Sequence, residues 1–67
     1  MSYNNPLMYY FGITDENSIY CGEEFLVAAF SYKQALSIAT EEFPNENLKY
    51  YGVVSDEEAE IMGLDVY

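Results

Sequence analysis

Apolar residues along the chain follow a two-residue repeat in some stretches and a helical repeat in others. Residues 7–13, LMYYFGI, read as a strand. Leu7, Tyr9, Phe11 and Ile13 share one face, and Met8, Tyr10 and Gly12 the other. Residues 14–18 form a polar turn. Ile19, Tyr20 and Cys21 then resume extended structure, Gly22 marks a bulge or tight bend, and residues 23–30 continue a second strand. The two strands are expected to make a long hairpin.

Ser31 followed by Gln34 is a capping box, which predicts a helix from about Tyr32. Tyr32, Ala35, Leu36, Ala39 and Phe43 fall on one face of that helix, and Lys33, Gln34, Ser37, Thr40 and Glu41 on the other. Pro44 ends it. Residues 48–54, LKYYGVV, read as a third strand. Ser55 and Glu58 form a second capping box, opening a short helix from Asp56 to about Met62. Gly63 suits a left-handed C-cap, with Leu64 folding back toward Ala59. Residues 65–67 form a tail expected to dock on the core.

The order β-β-α-β-α defines an α+β fold. A helix joining strands two and three makes them parallel, by a right-handed crossover. Strand one, antiparallel to both, fits between them. The expected architecture is a three-stranded antiparallel sheet, order 2-1-3. One long helix covers one face, and a short C-terminal helix follows. One sheet face is expected to stay partly open. Residues 1–67 form a single compact domain, with residues 1–6 a candidate flexible segment.

Composition narrows the function. A hydrophobic content of 51%, with eight Tyr and four Phe, marks a packed chain and excludes a disordered tail. A chain of 67 residues is too short for a deep enclosed pocket. Twelve Asp and Glu oppose only Lys33 and Lys49, with no Arg and no His, for a net charge of −10. Solubility alone asks for a magnitude of about 2–8 in a small domain. Such a charge argues against direct nucleic-acid binding and against anionic membranes, and favours a basic protein surface as partner.

The chemistry of catalysis is sparse. His and Arg are absent, and Cys21 has no neighbouring base to ionise it. Cys21 reads as a small, half-buried residue; a lone cysteine fits a reducing, cytoplasmic compartment. No apolar run approaches the roughly 20 residues of a membrane span. Around Asp15, Glu16 and Asn17 the glycine and closing Glu of a calcium loop are missing. No enzyme activity, cofactor or metal is expected.

The acids sort by local physics. Asp56, Glu57 and Glu58 lie in the first turn of their helix, where the dipole favours them. Asp15 and Glu16 are turn residues. Glu23 and Glu24, beside Gly22, include a candidate guard for a sheet edge. Glu41 and Glu42 fall in the last turn of the long helix, with Glu46 just beyond. The dipole disfavours carboxylates there by about 0.3–1 kcal/mol each when exposed. A local rule broken without visible compensation marks a functional surface. The expected partner-binding residues are therefore Glu41, Glu42 and Glu46 first, then Glu23 and Glu24, with Asp15 and Glu16. Tyr10, Tyr20 and either Tyr50 or Tyr51 can line the open sheet face, and two readings stand for them: that most of these tyrosines pack in the core or cover the sheet, or that they form the apolar centre of an interface or a homodimer.

Short length, strong acidity, an aromatic-rich sheet and the strand-into-capped-helix segment FLVAAFSYKQALSIATEEF occur together here. In this overall character the chain resembles the small acidic phage-encoded inhibitors called anti-CRISPR proteins. The resemblance implies an inhibitor acting in the host-cell cytoplasm. It would bind the basic nucleic-acid-binding surface of a CRISPR effector nuclease or surveillance complex. By mimicking the charge of DNA it would block PAM or target binding. Two other readings stand beside it. One is an interaction module that binds or dimerises through a tyrosine-rich sheet face. The other is an inhibitor of another DNA-binding enzyme, such as a restriction nuclease.

Overall fold

The computed structural model describes residues 5–67. The elements are β1 (Leu7–Ile13), β2 (Glu24–Ala29), α1 (Tyr32–Glu42), β3 (Leu48–Val54) and α2 (Asp56–Met62). The strands form one three-stranded sheet in the order β2-β1-β3, with β1 antiparallel to both neighbours. This is the α+β architecture expected. Of the expected flexible segment at residues 1–6, the first four lie outside the described residues; Asn5 and Pro6 are exposed and lead into β1.

Alternation in β1 and β2 builds the core. Tyr9 pairs with Val27 and Phe11 with Phe25, all four buried on the face that α1 covers. The Phe11 and Phe25 rings stack at 5.7 Å. The helix meets this face through Ala35 and Ala39, both fully buried, with Ile38 and Phe43 packed beside them. The buried stripe thus differs from the expected one. Tyr32 lies outside the buried core and Leu36 is 37% exposed, while Ile38 takes an inward place. Two alanines four residues apart let the helix axis sit close to the strands, which turns the bulkier flanking residues outward. Tyr32 still rests against the Tyr50 ring, 4.8 Å away.

Both helices begin where their capping residues lie. The Gln34 amide donates to Ser31 Oγ at 3.1 Å, and the Phe30 amide donates to Gln34 Oε1 at 2.8 Å. At α2 the Glu58 amide donates to Ser55 Oγ at 3.1 Å. Gly63 closes α2 in the left-handed conformation, φ 63°, its amide bonded to the Ala59 carbonyl.

The hairpin is shorter than expected. Ile19, Tyr20 and Cys21 do not extend; they belong to a run of turns between β1 and β2. Local hydrogen bonds outcompete the strand here. Asp15 Oδ1 accepts from the Asn17 amide at 3.0 Å, and Ser18 Oγ accepts from the Tyr20 amide at 2.9 Å. The Ser18, Cys21 and Glu23 amides bond to the carbonyls of Asp15, Ser18 and Tyr20. Ile19 is consequently 90% exposed, and Cys21, expected half-buried, is exposed. Gly22, at φ 89°, makes the bend that returns the chain to β2.

Two further features shape the surfaces. Pairing of β1 with β3 shifts between Tyr10–Gly52 and Phe11–Tyr50, leaving Tyr51 as an extra residue. Tyr50 therefore packs toward Tyr9 and Phe11, whereas Tyr51 lies over Tyr10 on the second sheet face. The C-terminal tail also pairs as a short parallel strand along the outer edge of β2. The Leu26 amide bonds to the Asp65 carbonyl, the Tyr67 amide to the Leu26 carbonyl, and the Ala28 amide to the Tyr67 carbonyl, each at 2.9 Å. This satisfies an edge that would otherwise be open. Among the described residues no helix is long and apolar enough to cross a membrane.

Candidate functional site

The site grows from the end of α1. Phe43 caps the helix, its amide bonded to the Ala39 carbonyl at 3.0 Å. Pro44 prevents continuation, and Asn45 at φ 68° reverses the chain. The Thr14 amide then holds the Asn47 carbonyl at 2.9 Å, tying this turn to the end of β1. So fixed, Phe43 packs on Phe25, with ring centroids 4.7 Å apart. Tyr20 comes edge-on to Phe43 from the β1–β2 turn, at 5.9 Å and 73°. Tyr67 arrives from the tail and stands edge-on to both Phe25 and Phe43. Edge-to-face contacts of this kind are favourable beyond simple burial, because ring edges are positive and faces negative.

Tyr20, Phe25, Phe43 and Tyr67 line a concavity of about 230 Å³, together with Glu23, Glu24 and Asp65. Burial pushes the Tyr67 phenol above its ordinary pKa, and the negative charges of Asp65, Glu42 and Glu23 push it further. Every ionisable group acting on it is acidic or phenolic. Three segments distant in sequence thus direct carboxylates at one aromatic rim. The last turn of α1 holds no basic residue to balance Glu41 and Glu42. Of the two lysines, Lys49 lies over the Tyr51 ring, 5.5 Å from its centroid.

The residues singled out in sequence divide accordingly. Glu23, Glu24 and Tyr20 line the concavity and Glu42 lies close enough to act on Tyr67. Glu41 is exposed beside Glu42, and Glu46 is half-buried in the turn that follows. Asp15 is committed to its own turn through Asn17, with Glu16 exposed next to it. Tyr10 and Tyr20 do not share a face. Tyr20 sits in a turn, not a strand, and reaches Phe43 on the α1 side. Tyr10 lies on the second sheet face, 4.6 Å from Tyr51. A hydrogen bond to the Glu24 carboxylate, then burial and the charge of Glu24, raise the Tyr10 phenol pKa. Asp65 and Tyr67 were not singled out. The alternation Asp65, Val66, Tyr67 is strand-like, and this was the available signal for an edge pairing.

The acids of α2 differ in kind. Asp56, Glu57 and Glu58 occupy its first turn, where the dipole accommodates them. With Glu60, Met8, Leu64 and Val66, two of them line a broader groove of about 610 Å³. Among the described residues no three His, Cys, Asp or Glu side chains are placed to hold a metal ion. No protein-family model matches the chain, and neither the curated proteins nor the solved structures yield a match.

Proposed function

We propose that this protein is a non-enzymatic inhibitor that docks its acidic, aromatic end on a basic nucleic-acid-binding surface of a CRISPR effector. There it takes the place of DNA. The observation that supports this reading most is the gathering of Glu23, Glu42 and Asp65 around Tyr67 with no cation among them. Carboxylates held together in this way repel one another, and a partner rich in Lys and Arg relieves the repulsion. Folding alone does not require the arrangement, because Glu41 and Glu42 oppose the dipole of their own helix. Charge of one sign also speeds encounter with an oppositely charged cleft and makes binding weaken with salt. The protein would act in the cytoplasm, where such effectors work.

A second reading has one observation in its favour. Tyr10 and Tyr51 pack against each other, tilted by 34°, on the sheet face opposite α1, and Tyr51 is exposed. That pair suits the centre of a homodimer or of a protein interface independent of charge. A pull-down against CRISPR effectors and restriction nucleases at rising salt separates the readings. Capture of an effector that weakens steadily with salt supports the first. A salt-insensitive dimer with no captured nuclease supports the second.

A further inference from the structure

We propose that the concavity walled by Tyr20, Phe43 and Tyr67 is an arginine pocket, which receives one guanidinium group from the basic partner surface. The inference rests on the reading above that the partner is basic, and names the side chain that this part of the surface selects.

Three features define the occupant. The walls are aromatic, and cations are attracted to ring faces within about 6 Å of the centroid. The rim carries Glu23 and Asp65, so the pocket is negative as well as apolar, while the Glu24 carboxylate is engaged by Tyr10 on the other sheet face. Glu23 and Asp65 line the concavity beside the aromatic rings. Such a site fits an extended planar cation better than a point charge. A guanidinium stacks on an aromatic ring and also offers five N–H donors in a fixed fork, and it sheds water more readily than an ammonium. The concavity, at about 230 Å³, is small enough to be filled by one side chain. Tyr20 is 44% exposed and Tyr67 37% exposed, so both rings are reachable from solvent.

The test uses the free protein and small probes, followed by two-dimensional NMR of the aromatic rings. N-acetyl-arginine amide is expected to shift Tyr20, Phe43 and Tyr67 selectively. N-acetyl-citrulline amide, its neutral counterpart, should bind at least tenfold more weakly, and N-acetyl-lysine amide at least threefold more weakly. Tyr20→Ala and Glu23→Gln, both at exposed turn positions, should each weaken arginine binding at least fivefold while the rest of the spectrum stays folded. Equal binding of arginine and citrulline, or shifts spread evenly over all acidic residues, or undiminished binding in both variants, would overturn the proposal. The probes need no effector. A pocket that binds arginine in a protein that displaces no DNA leaves the pocket standing and removes the inhibitor reading; the reverse result does the opposite.

Discussion

The Tyr67 ring stands edge-on to Phe25, with centroids 5.7 Å apart and planes at 86°. A residue at the end of the chain thereby closes the aromatic core at the edge of β2. Its backbone bonds to Leu26 and Ala28 do not depend on the side chain. Tyr67→Ala therefore removes the ring and keeps the strand pairing. The loss of a half-exposed aromatic with two edge-to-face partners should cost about 2 kcal/mol in urea unfolding. In a domain of this size that lowers the thermal midpoint by roughly 10 °C.

The same phenol gives stability a pH dependence at the alkaline end. Its folded pKa is raised by burial and by Asp65, Glu42 and Glu23. A raised folded pKa means the folded state holds the proton more tightly than the unfolded chain does. That contribution is whole below the ordinary value of 10.0 and is lost as pH rises through the folded value. Tyr67→Phe cannot ionise. Its unfolding free energy, measured against wild type from pH 8 to 12, should fall less steeply above about pH 10.

Gly12 lies beneath Tyr51. A Cβ there would come within 2.7 Å of Tyr51 Cε2 and 2.9 Å of its hydroxyl. The obstacle is the far end of an exposed side chain, so Gly12→Ala should fold, with Tyr51 swung away from Tyr10. The lost ring contact, about 0.5–1.5 kcal/mol, opposes a gain of about 0.5–1 kcal/mol from replacing a strand glycine. Net stability should change by less than about 1 kcal/mol, while the Tyr51 ring resonances move clearly.

Glu41 and Glu42 end α1 with the wrong sign of charge and no basic residue in that turn. Glu41→Lys and Glu42→Lys should each raise stability by about 0.5–1 kcal/mol at low salt, and by less at high salt. An increase in stability joined to a loss of partner binding would separate a functional role for these acids from a structural one.

Much of this architecture was legible in the sequence, for local reasons. Ser31 and Ser55 cap their helices, Gly63 ends α2, and alternation in β1 and β2 places Tyr9, Phe11, Phe25 and Val27 on the core face, although Leu26 on the second face is buried as well. What escaped depends on competition or on distance. Ile19, Tyr20 and Cys21 have strand-like side chains, but Asp15 and Ser18 bind the nearby amides first. Rotation of α1 toward Ile38 depends on how closely Ala35 and Ala39 let the helix approach, which periodicity does not state. The site was half legible. The conflict of Glu41 and Glu42 with their helix can be read locally. The approach of Glu42 to Glu23, Asp65 and Tyr67 needs the tail to pair with β2, a contact between residues far apart in sequence.

The most direct measurement of the proposed role is displacement of DNA. A CRISPR effector captured by this protein is loaded with a fluorescent PAM-containing duplex, and anisotropy is followed as the protein is added. The wild type should release the duplex competitively, with potency falling as salt rises. The combined variant Glu23→Lys, Glu41→Lys, Glu42→Lys, Glu46→Lys should be at least tenfold weaker, about 1.4 kcal/mol or more. A duplex that stays bound at saturating protein, or a charge-reversed variant as potent as wild type, would contradict the role assigned to the acidic end.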